Sequence, residues 1–199
     1  PEEFLAFKAK LVQLTKEAEV VTFNGSIPKG ISAENYKELI EETMAAGVPC
    51  IVDASGTLLT SCIDALPTMI KPNTDEIGQL LGREVTTEDE VIKAAQELHK
   101  RGIKIVVVSL GAKGALMVSD EGTFRANPPK IEAINPVGAG DTLVGSFAVA
   151  LAQQKPTSEC LTFALSCATA SCLSAGTGRF DQDVATKIQK QVTIKKIAE

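Results

Sequence analysis

A single histidine, His99, serves the whole of this chain. A histidine-based zinc site or a Ser-His-Asp hydrolase would have to rest on that one residue, so both are poor readings. His99 lies in Leu98-His99-Lys100-Arg101-Gly102, the basic last turn of a helix closed by glycine. Cysteine is sparse: Cys50, Cys62, Cys160, Cys167 and Cys172 make an odd five with no Cys-x-x-Cys. No disulfide framework is expected, and a reducing cytoplasm is the expected compartment. No block of lysine and arginine offsets the net charge of −5, which argues against a nucleic-acid partner. No apolar run reaches membrane-spanning length, and no basic segment leads into an apolar one, so neither membrane insertion nor export is expected. There is no Gly-x-x-x-x-Gly-Lys-Ser/Thr loop and no protein-kinase signature. Gly176-Thr177-Gly178 lacks the third glycine of a dinucleotide fingerprint and is discounted.

What is present is an ordinary globular composition, 44% apolar and 23% charged over 199 residues, enough for one domain spanning 1–199 with a substantial core. Helical spacing runs through residues 3–19, where Phe4, Phe7, Leu11 and Leu14 share a face. Val20-Val21-Thr22-Phe23 then reads as a strand ending in Asn24-Gly25-Ser26. Helix 33–46, strand Cys50-Ile51-Val52-Asp53, helix 57–65 and strand Met69-Ile70-Lys71 follow in turn. Helices near 74–81 and 87–101 precede the strongest strand, Ile103-Lys104-Ile105-Val106-Val107-Val108. Alternating helices and fully apolar strands imply an α/β fold, a parallel sheet covered by helices on both faces. Residues 114–126 read as a hairpin around Asp120-Glu121-Gly122, giving an antiparallel edge, and helices dominate 141–189. The loops after the strands, beginning at Gly25, Asp53, Lys71 and Ser109, are expected to meet in one crevice.

The densest signal is Asn135-Pro136-Val137-Gly138-Ala139-Gly140-Asp141-Thr142, which leads into Leu143, Phe147 and Leu151 at helical spacing. Glycines at a helix start leave amides and the positive dipole end free for an anion. Asp141 beside them suits phosphoryl transfer to a hydroxyl, with the amides holding charge and the carboxylate taking the proton. The other reading is an ordinary loop with Asp141 capping the helix. Gly140 is expected to need positive φ or close backbone approach. Ser109-Leu110-Gly111-Ala112-Lys113-Gly114 is either a tight hairpin turn or a place where backbone approaches a ligand. Lys71-Pro72-Asn73-Thr74-Asp75-Glu76 opens a helix directly after a strand. Asn73 and Glu76 form a capping-box pair, or Lys71 meets a phosphate while Asn73 and Glu76 hold Mg²⁺ through its waters.

Three motifs in one order, Lys-Pro-Asn-Thr-Asp-Glu, Val-Val-Ser-Leu-Gly-Ala-Lys-Gly and Asn-Pro-Val-Gly-Ala-Gly-Asp-Thr, resemble the ribokinase-like sugar kinases of the phosphofructokinase B branch. Asn24-Gly25-Ser26-Ile27-Pro28-Lys29-Gly30 is similar to that branch's Gly-Ser-Leu-Pro loop. The resemblance covers essentially the whole chain and leans towards the tagatose-6-phosphate kinases and 1-phosphofructokinases. It implies ATP-dependent phosphorylation of a ketohexose phosphate, tagatose 6-phosphate or fructose 1-phosphate, with Mg²⁺. Asp141 would be the base, and the amides of Gly138, Ala139 and Gly140 would stabilise the phosphoryl group. Lys71, Asn73, Ser109, Gly111, Ala112, Lys113 and Gly114 would border the nucleotide. Gly25 and Ser26 would lie near the sugar phosphate, and Asn73 and Glu76 would serve the magnesium. Asp53 and Ser55 acquire no role. Members of the family carry a further N-terminal region with early strands and a lid that pairs subunits. The resemblance therefore implies the C-terminal portion of such a domain, with a homodimer formed through the missing lid. An uncovered parallel edge invites association, so low stability and weak turnover are expected of these residues alone.

Overall fold

Val21–Asn24 (β1), Cys50–Asp53 (β2), Met69–Ile70 (β3) and Ile105–Ser109 (β4) pair side by side in parallel. The computed structural model describes residues 2–197. Successive residues of these strands enter opposite cores. Val52, Ile70, Val106 and Val108 face one, while Ile51, Met69, Ile105 and Val107 face the other. Burial on both faces is why these strands read as unbroken apolar runs rather than alternating ones.

The strand order follows the sequence across the sheet, from β1 to β7. Right-handed crossovers that always step the same way place their helices on the same face. Accordingly Ala33–Ala45 (α2), Gly56–Ile63 (α3), Thr74–Leu81 (α4) and Glu88–Lys100 (α5) all contribute to the first core. The other face is closed by later chain, Ala139–Ala152 (α6) and Thr157–Ser171 (α7). Gln182–Gln189 (α8) packs outside α7 through Ala185 and Ile188. Ala115–Ser119 (β5) and Gly122–Asn127 (β6) form the expected hairpin, antiparallel to β4.

Two features depart from the sequence reading. Glu2–Thr15 (α1) turns Phe4 and Leu11 to the first core but leaves Phe7 and Leu14 exposed, at 58% and 51%. The contact stripe is centred on Phe4, Lys8, Leu11 and Thr15; Lys8 lies in it because its ammonium bridges Glu38 and Glu42 of α2. The chain also ends in an unanticipated strand, Thr193–Ile197 (β7), antiparallel to β6. Its residues are almost all exposed, so no apolar periodicity marks it, and Lys195 and Lys196 guard it as an edge.

Helix ends are closed locally where the sequence has caps. Asn73 with Glu76, and Thr87 with Glu90, make reciprocal capping boxes on α4 and α5. At the end of α5, the carbonyl oxygen of Ile103 lies 2.9 Å from His99 Nδ1, in keeping with a structural histidine. Helix α7 starts behind Pro156 with no side-chain cap of its own. Glu121, in the β5–β6 turn, accepts from the amides of Thr157 and Ser158 instead. All five cysteines are free, and no helix among the described residues is long and apolar enough to cross a membrane.

Candidate active site

The carboxyl ends of the parallel strands do converge, and their polar residues meet there. Asp53, the last residue of β2, lies 3.2 Å from the Lys71 ammonium, which follows β3. Lys71 is 8% exposed. Burial pushes the Asp53 carboxyl above the ordinary carboxylate value; the Lys71 ammonium opposes that shift, and the charges of Glu76 and Asp141 add to it. A buried lysine ammonium needs such a counter-ion. The Gly25 amide donates to the Asp53 carbonyl, so the end of β1 adjoins this pair. Gly25 and Ser26 are exposed there and line neither cavity described below.

Helix α6 starts beside Lys71. A Cβ on Gly140 would stand 3.6 Å from the Lys71 Nζ, so the ammonium and the helix start share one small volume. Gly140 is not in the left-handed region; Gly138 is, with φ of 82° as the helix N-cap. A Cβ on Gly138 would come within 2.8 Å of the Thr177 methyl and 2.9 Å of the Gly178 amide nitrogen. The discounted Gly176-Thr177-Gly178 is therefore a packing seat for the turn. Asn135 anchors the same contact by donating to the Ala175 carbonyl and Thr177 hydroxyl.

The set of free amides differs from the expected one. Ala139 donates to the Pro136 carbonyl at 3.2 Å, because the left-handed Gly138 closes a turn over residues 136–139. Among the described residues the amides of Gly138, Gly140 and Asp141 have no acceptor. Asp141 does not cap α6, its side chain makes no hydrogen bond within the described residues, and it is exposed. Thr142 occupies the first turn instead, its hydroxyl donating to the Gly138 carbonyl.

Residues 109–114 form the opposite wall. Gly111–Lys113 is one turn of 3₁₀ helix, tied to β3's exit by Ser109 donating to the Pro72 carbonyl. A cavity of about 530 Å³ lies between this turn and α6 and α7. Lys71, Ser109, Gly111, Ala112, Gly114, Ala139 and Gly140 border it. Pro128, Pro129, Ile131, Leu143, Leu165 and Ala168 give it an apolar far wall, which carried no recognisable motif. Asn73 and Lys113 fall outside it. They line a second hollow of about 340 Å³ on the turn's other side, with Thr87, Glu88 and Val91.

The larger cavity is of ligand size and mostly apolar in lining, with the Lys71 ammonium and the free Gly140 amide among its polar groups, which suits a ligand that is part apolar and part anionic. Glu76 and Asn73 fit magnesium only in part. The Asn73 side-chain oxygen accepts from the Glu76 amide at 2.9 Å, and one Glu76 oxygen accepts from the Asn73 amide at 2.8 Å. The capping box thus occupies Asn73 and leaves the second Glu76 oxygen for a cation. No group of three or more metal-ligating side chains exists among the described residues. A hydrated Mg²⁺ that arrives on phosphate oxygens suits this sparse donor set.

The chain is 34% identical over 191 residues to tagatose-6-phosphate kinase of Staphylococcus epidermidis, covering 94% of this chain and 62% of that protein. It is 32% identical over 189 residues to 1-phosphofructokinase of Vibrio cholerae, covering 95% and 60%. The crystal structure of phosphofructokinase-2 from Escherichia coli in complex with potassium superposes with a TM-score of 0.90 at 34% identity, over 96% of this chain and 62% of that one. The chain thus spans about three fifths of the length of the relatives it matches. The model of the pfkB family carbohydrate kinases matches residues 2–183. That match, with the relatives above, places the chain in the pfkB family of carbohydrate kinases.

Proposed function

We propose that the chain carries the phosphoryl-transfer centre of an ATP-dependent sugar-phosphate kinase, acting on a ketohexose phosphate in the cytoplasm. The observation that carries this reading is the meeting of Lys71 and the unbonded Gly140 amide in the lining of one cavity, with the free amide and carboxylate of Asp141 on the next residue of the same helix start. The apolar wall of Leu143, Leu165 and Pro128 takes the base. The acceptor hydroxyl oxygen forms a bond to the γ-phosphorus as the bond to the departing diphosphate oxygen breaks. Asp141 takes the hydroxyl proton, while the α6 amides and Lys71 hold the charge on the transferring group. Glu76 would hold a hydrated Mg²⁺, which would supply neutralisation of phosphate charge when bound. Gly25 and Ser26 are the proposed sugar-phosphate contacts, and a homodimer the proposed assembly.

Tagatose 6-phosphate and fructose 1-phosphate are the proposed acceptors, since the chain resembles kinases named for such substrates. The test is ADP release with a panel of tagatose 6-phosphate, fructose 1-phosphate, fructose 6-phosphate and the free sugars. Turnover confined to the phosphorylated sugars is expected. Turnover with free sugars or nucleosides would overturn the substrate class. Binding without turnover is a second reading, favoured because both cavities lie against the Ser109–Lys113 turn while Gly25 and Ser26 border neither. Calorimetric ATP binding with no ADP formed in the presence of any acceptor, even when the N-terminal region of a family member is supplied, would favour it.

A further inference from the structure

The Ser109–Lys113 turn is a thin partition, because Ser109 and Gly111 line both cavities. A wall with hollows on both sides gains little from packing, so its shape has to come from hydrogen bonds. Part of that support is internal: Leu110 donates to the Gly114 carbonyl, and Gly114 to the Gly111 carbonyl. Ser109 is held at the turn's start by its bond to the Pro72 carbonyl, and the turn's far end is held by one residue on another strand that no motif marks.

We infer that Arg125 of β6 is a positioning residue that fixes the nucleotide turn. Its guanidinium sits behind the turn with only 12% of the side chain exposed. Nη2 donates to the Lys113 carbonyl at 2.9 Å. Nη1 donates to the Ala126 carbonyl at 2.6 Å and to the Ala115 carbonyl at 3.4 Å. Nε donates to Glu88 of α5 at 3.1 Å, which orients the fork and balances its charge. The Ala126 carbonyl is the same group that a Cβ on Gly114 would collide with. One planar group thus ties both ends of β5's entry, the last residue of the turn and the first turn of α5 to a single geometry. Lysine cannot reproduce this, since its single ammonium has no rigid fork. Arg125 itself lines neither cavity, so its effect on a ligand passes through the residues it holds, Lys113 of the turn and Glu88.

The nucleotide role rests on the kinase reading; the clamp itself does not. The test therefore reads both in the 199-residue chain: amide exchange at residues 110–115 by NMR without ligand, and ATP affinity by calorimetry. In Arg125→Met, exchange at 111–114 is expected to quicken about tenfold while β4 amides keep their rates. ATP Kd is expected to weaken about tenfold, the scale of one lost charge-assisted hydrogen bond. Arg125→Lys, the variant to use if the methionine form does not fold, should show both effects at intermediate size. Unchanged exchange in the turn of either folded variant overturns the clamp. Faster exchange with unchanged ATP affinity overturns its role in nucleotide binding. A wild-type chain that binds no ATP removes that role together with the kinase reading, even if the turn loosens.

Discussion

Two glycines two residues apart do different work. Gly138 supplies backbone conformation, with positive φ and a contact on Gly178 that leaves no room for a methyl group. Gly140 supplies closeness to Lys71 while keeping helical angles. Gly138→Ala should therefore cost at least about 1–2 kcal/mol of stability for the left-handed backbone alone, read as a lower melting temperature. Gly140→Ala should leave melting nearly unchanged, and equal melting temperatures for the two variants would refute this division. Asp141 is tested by chemistry rather than stability. With its carboxylate free of structural bonds, Asp141→Asn should fold normally and keep its ATP affinity. It should lower kcat roughly 10²–10⁴-fold, and near-normal turnover would eliminate it as the base. The sequence displayed both positions, since glycine and aspartate at a helix start have few readings. It could not display the Asp53–Lys71 pair, whose members are 18 positions apart and gain significance only by touching in a buried place.

Among the helices, the boundaries written in local chemistry were legible and those supplied from a distance were not. The capping box of α4 was read from short-range spacing and formed, and Thr87 and Glu90 make a second box of the same spacing on α5. The cap on α7 came from a hairpin turn 36 residues earlier, and no short-range pattern contains it. The α5 box makes a pH prediction. Amide donation from Thr87 and Thr86 lowers the Glu90 carboxyl from its usual range to about 2. A depressed carboxyl contributes stability that is present above its unfolded value, about 4.3, and disappears as pH falls towards 2. The melting difference between wild type and Glu90→Gln should therefore be full at pH 6 and shrink progressively to nothing near pH 2. A difference independent of pH would mean that the charge of Glu90 plays no part. Strand β7 failed to register for a related reason: an exposed edge strand has no apolar alternation to display.

For the molecule as a whole, the two sheet edges are unequal. β7 presents Lys195 and Lys196, whereas β1 presents Val21-Thr22-Phe23-Asn24 with neither charge nor proline. The amides of Val21 and Gly25 point inwards to Pro49 and Asp53, so by strand alternation Thr22 and Asn24 point theirs to the open side. The chain should associate as concentration rises, seen by sedimentation velocity. Thr22→Pro, which removes an outward donor, should suppress that association without changing the far-ultraviolet spectrum. Persistent association would place the contact elsewhere, with the exposed Leu5 and Phe7 of α1 the next surface to test. Fold class, nearly every helix and strand, and the glycine-aspartate turn were legible in the order of the residues, because periodicity, caps and turn residues act over a few positions along the chain. What waited for the folded chain was the buried Asp53–Lys71 pair, the seating of the Gly138 turn on Thr177 and Gly178, and the place of Arg125 behind the Ser109–Lys113 turn. Those are contacts between distant segments, and their energies depend on burial and direction, which exist only once the sheet has brought the strand ends together.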